Sequence, residues 1–202
     1  RTSENVGNIE GQNLCFKYAQ GNHVLFVSND VRLLPHCVRN IACSAILMSS
    51  QTMPIILNPD LSVQSYGGKL LWPGYGINSV KENWHHLNYI PSICYLMPKI
   101  MWEKIGGFDG QYPMTYEDVD MGLRLGRHNL FLNPLAKVIH LGNATLQYTQ
   151  KDRWRFHQGR LRLLKKHYRG LDYAKRYCAV KTLDYIADQS AKVVSTSRRV
   201  SH

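Results

Sequence analysis

A chain of 202 residues, 44% apolar and 19% charged, has enough material for one domain with its own core and is too apolar to be a disordered segment. No run approaches the roughly 18 apolar residues of a membrane span, and the polar stretch from Arg1 to Gly21 lacks the apolar centre of a signal peptide. The net charge of +11 is unevenly placed: residues 1–150 carry 11 Lys/Arg against 10 Asp/Glu, and residues 151–202 carry 14 against 4.

Gly11 to Gln20 reads as a short helix with Leu14, Cys15 and Tyr18 on its inner face. Gly21-Asn22 turns the chain into His23-Val24-Leu25-Phe26-Val27, an apolar strand that stops at the polar Ser28-Asn29-Asp30. Pro35 suits a first helical turn, and Val38, Ile41, Ala42, Ala45 and Ile46 follow at helical spacing. Ile55-Ile56-Leu57 is a second strand. Residues 58–91 are broken by Pro59, Gly67-Gly68, Pro73-Gly74, Gly76 and Pro91, which predicts a long loop with short strands, the kind of segment that often carries function. Ile93 to Met97 is a third strand, closed by Pro98, and Lys99 to Ile105 a short helix ended by Gly106-Gly107. A further helix runs from near Tyr116 to about His128, and Val138-Ile139 is a last strand that delivers His140. This alternation predicts an α/β domain with a mixed sheet and ligands at strand ends, over residues 1–150.

Residues 151–202 form a basic helical extension. Trp154, His157, Leu161, Leu164 and Tyr168 recur at three- and four-residue steps, while Arg153, Arg155, Arg160, Arg162, Lys165, Lys166 and Arg169 fall elsewhere. That is an amphipathic basic helix, suited to lying on an anionic membrane, to meeting a polyanion, or to packing against the domain with its charges in water. The five cysteines (Cys15, Cys37, Cys43, Cys94, Cys178) are odd in number and include no C-x-x-C pair, so they predict reduced, buried thiols rather than a disulfide framework or zinc cluster.

Two carboxylate motifs carry the chemistry. Asp30 directly follows the Val24–Val27 strand, where α/β sheets bind ligands and where one carboxylate suffices for a hard cation whose other ligands are phosphates and waters. Asn-Asp after a strand is also ordinary turn chemistry. Tyr116-Glu117-Asp118-Val119-Asp120 opens a helix, where the dipole favours acids; Asp120 has an i,i+4 partner in Arg124, whereas Glu117 and Asp118 have none.

The order of these blocks resembles the family 2 glycosyltransferases with the GT-A fold, especially their rhamnosyl- and galactosyltransferase-like members. The blocks are Glu4-Asn5-Val6-Gly7, Gly11-Gln12-Asn13, Ala19-Gln20-Gly21 leading to Leu25 through Val31, Gly106-Gly107-Phe108-Asp109, Tyr116 to Asp120 with Arg124, and Val138-Ile139-His140 followed by Ala144-Thr145. The resemblance implies a GT-A-like fold and inverting transfer from a nucleotide diphospho-sugar to an acceptor hydroxyl. It places Asp30 in the D-x-D motif that holds a divalent cation (manganese or magnesium), with His140 as a further ligand. It makes Asp118 the general base with Glu117 beside it, and sets Gly11, Asn13 and Asn29 near the donor nucleotide and Gly106–Asp109 facing sugar and acceptor. A glycan or lipid-linked acceptor, a cytoplasmic location peripheral to an anionic membrane, and no nucleic acid partner are the matching expectations.

Two departures qualify it. Ser28 stands where the first D of D-x-D would be. The family's first strand–helix–strand, roughly 60–70 residues by ordinary βαβ lengths, normally precedes the block at Asn5, so it is expected upstream of Arg1. A nucleotidyltransferase is the rival enzyme, though no basic residue near residues 1–21 sits as its phosphate loop requires. A non-catalytic module that binds a polyanion or membrane through its basic tail is the rival outside enzymes.

Overall fold

The computed structural model describes residues 3–81, 87–113, 115–142 and 149–200. Its centre is a mixed sheet in the order β1 (His23–Val27), β7 (Cys94–Pro98), β3 (Gln51–Leu57), β8 (Leu130–His140), β2 (Val31–Leu33), with β4 (Val63–Ser65) paired to β3. β3 and β8 run parallel, and the other neighbours antiparallel. β5 (Gly68–Leu71) and β6 (Tyr75–Asn78) make a separate hairpin within the loop-rich stretch foreseen over 58–91.

Every residue of β3 and β7 is buried, as expected of strands covered on both faces, and from Met53 and Cys94 onward both are continuously apolar. Successive residues of a strand point to opposite faces. Cys94 of β7 lies by Cys37 of α2 (Cys37–Met48), and its neighbour Tyr95 stacks near Phe16 of α1 (Gly7–Tyr18), so the two helices cover opposite faces of the sheet. Phe16 also lies flat on Trp102 of α3 (Lys99–Ile105), with ring centroids 3.7 Å apart.

Pro54 explains where the sequence misleads. It has no N–H to donate and interrupts the run, so the sequence reads as a strand from Ile55; β3 starts at Gln51. Pro54 pairs with Asn133 and Ile55 with Lys137, so the residues between 133 and 137 bulge out of β8 opposite the Pro54–Ile55 step. Asn133 seals that bulge: its Oδ1 accepts from the N–H of Leu135 and Ala136, and its Nδ2 donates to Asn40 O and Ser44 Oγ on α2. The same interruption hid most of β8, which covers 130–140 rather than Val138-Ile139 alone.

Other readings need correction. α1 begins at Gly7 and buries Ile9, Gln12 and Phe16, leaving Cys15 and Tyr18 exposed. On α2 Ile41 and Ala45 are buried, but Val38 and Ile46 are not. All five cysteines are free; Cys37 and Cys94 are buried, whereas Cys15, Cys43 and Cys178 are exposed. The Ala144-Thr145 block lies outside the described residues. Among those described, no helix is long and apolar enough to cross a membrane.

The C-terminal helices pack differently from the stripe read in sequence. α5 (Gln150–His167), opened by a Thr149–Asp152 capping box, buries Gly159, Arg160, Leu163 and Leu164, while Trp154 is exposed. Gly159 is where the backbones meet: a Cβ there would lie 2.7 Å from the Thr115 carbonyl oxygen. α6 (Gly170–Val200) returns along α5. Arg160, Arg162 and Lys166, expected on an open basic face, are instead ion-paired, because acids of the sheet domain and of α6 lie opposite them.

Asp120 on α4 (Glu117–Leu125) is fully buried and is the hub of that packing. It pairs with Arg124, as its i,i+4 spacing predicts, at 2.8 Å, and with Lys166 and His167 of α5, each at 2.8 Å. Tyr112 donates to it as well. Burial opposes its ionisation, but the His167 and Lys166 hydrogen bonds outweigh that and hold its carboxyl below the ordinary range. Asp120→Ala would strand Arg124 and Lys166 and remove the partner of His167, and should destabilise the fold by roughly 3–5 kcal/mol, measured by urea unfolding. A loss under about 1 kcal/mol would reduce the hub to the level of an exposed ion pair.

Candidate active site

β1 ends at Val27, and the next residues turn tightly: Ser28 N–H donates to Ile93 O at 2.9 Å and Val31 N–H to Ser28 O at 3.2 Å. That turn leaves Asn29 exposed and Asp30 partly covered beside the end of β8, where Leu141 N–H donates to Asp30 O. Val31 pairs with His140 across β2 and β8, which brings the His140 Nε2 to 3.2 Å from an Asp30 carboxylate oxygen. The other ring nitrogen, Nδ1, is 2.8 Å from the Gln64 Oε1, a side chain on β4.

This contact fixes the chemistry of the ring. An amide oxygen accepts, so Nδ1 carries the hydrogen and a neutral His140 turns the Nε2 lone pair toward Asp30. Two acceptors facing each other call for a cation between them, either a proton or a metal ion. The donor set of one carboxylate and one imidazole, with the second nitrogen tied back by an outer partner, fits a divalent cation that takes its remaining ligands from phosphate and water. No cluster of three or more metal-ligating side chains occurs among the described residues, so the protein share of such a site is these two groups.

Glu117 and Asp118 open α4 and line a cavity of about 380 Å³ with Asn8, Asn78, Ser92 and Phe156 among its walls. Glu117 is 5% exposed, and its Oε2 has no hydrogen-bond partner among the described residues. Burial, then the neighbouring Asp118 charge, pushes Glu117 well above the usual carboxylate range. Burial raises Asp118 as well, to about 6, against the lowering effect of backbone N–H donors at Val119 and Ser92. The pair is thus two buried carboxyls whose affinity for a proton is raised, Asp118 to about 6, an arrangement that suits a general base.

The two carboxylate motifs meet at one backbone segment. Ser28 bonds to the carbonyls of Ser92 and Ile93, and the Ser92 N–H supports Asp118. Asn13 has a different neighbourhood: its Nδ2 donates to Phe108 O and its Oδ1 accepts from Phe108 N–H, a two-way clamp on the Gly106–Asp109 loop. Neither Asn13 nor Gly11 lines the Asp118 cavity. Asp109 points to α5, accepting from Arg162 at 2.8 Å and Lys166 at 3.0 Å.

Tyr116 reads in sequence as the start of the carboxylate block, with no role of its own. It precedes Glu117 with φ +73°, a left-handed conformation unusual for a bulky side chain. Its hydroxyl accepts from Arg160 Nε at 3.1 Å and from Gly76 N–H at 3.2 Å. Arg160 in turn forks onto Asp184 of α6 at 2.6 and 2.8 Å and lies over the Tyr75 ring. The signal was Arg160, a cation one turn from buried leucines, which was counted with the exposed charges.

No protein-family model matches the chain, and no curated protein matches it. Solved structures do match. The crystal structure of GalNAc-T7 with UDP, GalNAc and Mn2+ superposes at a TM-score of 0.62 with 11% sequence identity, covering 82% of this chain. The chain spans about 35% of the length of that protein. At this identity the likeness is one of fold: the chain has a GT-A-like architecture, a central mixed sheet flanked by helices.

Proposed function

We propose that the chain is the catalytic part of a family 2-like glycosyltransferase that moves a sugar from a nucleotide diphospho-sugar to an acceptor hydroxyl, with inversion at the anomeric carbon. The observation that carries this reading is the Glu117–Asp118 pair in its cavity, one backbone segment away from the Asp30–His140 pair at a strand end. A GT-A-like fold, found also in a protein solved with UDP and Mn2+, supports it at the level of architecture.

In this reading the acceptor hydroxyl enters the cavity and gives its proton to Asp118 as its oxygen attacks the anomeric carbon. Burial and the Asp118 charge favour the protonated form of Glu117, which lessens the like charge beside an ionised Asp118. Asp30 and His140 would hold the divalent cation, which supplies charge neutralisation to the departing diphosphate. Gln64 keeps the His140 lone pair directed at that position. The rival reading, a polyanion-binding module without catalysis, loses support because Arg160, Arg162 and Lys166 are engaged inside the protein.

Asp118→Asn should reduce sugar transfer on the order of a hundred- to ten-thousand-fold while nucleotide binding persists. Wild-type turnover in that variant would remove Asp118 from the mechanism. Transfer by the native protein should rise with pH through about 6 as Asp118 ionises. The stability effect has the opposite sign: a carboxyl raised from 3.8 to about 6 binds its proton more tightly when folded, so stability falls as pH climbs through that window. Asp118→Asn should therefore melt no lower than wild type at pH 8, and a large drop would make Asp118 a structural residue.

Calorimetry with UDP in manganese and in chelator tests the other pair. Asp30→Asn should lose the manganese-dependent part of the affinity, and Gln64→Ala should weaken manganese binding about 10- to 100-fold by freeing the imidazole. Equal UDP affinity in manganese and chelator for the wild-type protein would exclude a cation at Asp30.

A further inference from the structure

One to two turns along α4 from Asp118, Gly122 and Gly126 form part of a second cleft, of about 410 Å³. That volume lies within the range of small-ligand sites. Its other walls include Trp72 at the end of the β5 strand, Asn88, Arg127 just after α4, and Tyr168 and Arg176 where α5 passes into α6. None of its lining residues is acidic.

The polar groups are built rather than incidental. Arg176 is fixed from three sides: its Nε donates to Asp172 at 3.0 Å, its Nη1 to Pro73 O at 3.2 Å, and its guanidinium lies 4.1 Å above the Tyr168 ring. Arg127 is exposed and has no acidic partner among the described residues. The Asn88 Oδ1 is taken by Leu70 N–H, which leaves its amide hydrogens without an acceptor among the described residues. Trp72 is 62% exposed, an indole kept in water at the rim of a cavity instead of in the core.

We propose that this cleft binds an acidic saccharide: a uronic-acid sugar with its C–H face on the Trp72 indole and its carboxylate on Arg127 and Arg176. The Asn88 amide donates to a ring hydroxyl. Guanidinium groups match a carboxylate with two parallel donors, and an indole offers a flat apolar surface that a pyranose ring covers and a bare anion does not. The inference does not rest on the transfer reaction, since binding here needs neither donor nor catalytic base.

Calorimetry on the full chain in chelator, without nucleotide, tests it with four probes: a galacturonate trisaccharide, the neutral galactose trisaccharide, inorganic phosphate and UMP. The acidic trisaccharide should bind, and each of the other three should bind at least about tenfold more weakly. Trp72→Ala and Arg127→Glu should each weaken the trisaccharide about tenfold or more, the range of one charge-assisted contact or stacked ring. Both side chains are exposed, so melting temperatures should match wild type, and saturation-transfer NMR on the unsubstituted protein reads the ring-proton contact without any variant. Absence of trisaccharide binding, equal affinity for the neutral sugar, phosphate or UMP, or affinity indifferent to both substitutions would overturn the assignment.

Discussion

Three carboxylates stand within four residues at the start of α4, and among the described residues one of them, Asp120, is ion-paired with Arg124 and Lys166. Asp120 faces α5 and receives Arg124, Lys166 and His167. Glu117 and Asp118 face the cavity, where burial raises both and, among the described residues, no lysine or arginine lines it. A helix N-terminus stabilises acids by well under the desolvation they meet here, so the arrangement stands only because the rest of the molecule fixes the start of the helix. Buried carboxyls with raised proton affinity are a feature that proton-transfer sites use.

The C-terminal helices supply that fixation. Tyr116 adopts φ +73°, a strained state for an aromatic residue, and persists because Arg160 and Gly76 N–H both bond its hydroxyl while the Thr115 hydroxyl donates to the Arg155 carbonyl. Arg160 is itself oriented by Asp184 on α6, with Tyr75 donating to the same carboxylate. The α6 register, the α5 face and the backbone angle before Glu117 are therefore parts of one hydrogen-bonded chain. Burying a guanidinium is tolerable on these terms because its carboxylate partner is in place and its flat face rests on an aromatic ring.

This also shows what a linear reading captures. Apolar runs and punctuation placed β1, β7, α3 and α4 nearly where they lie, because their patterning and their end signals agree. The Asp120–Arg124 pair was legible because both partners sit on one helix. Pro54 hid half of β3 because the compensating bulge is 79 residues away, between Asn133 and Lys137 of the partner strand. Asp30 and His140 were each readable as strand-end residues, but Gln64, which contacts the imidazole, comes from one of the short strands in a loop-rich stretch where no single strand could be placed from sequence. The basic tail misled for a related reason: charge on one helix says nothing of acids that Asp109, Asp120 and Asp184 bring from elsewhere.

The β5–β6 hairpin ties the two cavities to one support. Gly76 on β6 lines the Asp118 cavity, and a Cβ there would meet Val119 at 3.0 Å, so α4 and the hairpin approach closely. Trp72, in the turn of the same hairpin, borders the second cleft, and Pro73 beside it accepts from Arg176 of α6. Tyr75 binds Asp184. A hairpin of two short strands is marginal alone. Held at its turn by α6 and along β6 by α4, it becomes a rigid wall shared by both cavities. Displacing α6 would then disturb the Asp118 cavity through two routes, the hairpin and Arg160–Tyr116, even though no described residue of α6 lines that cavity.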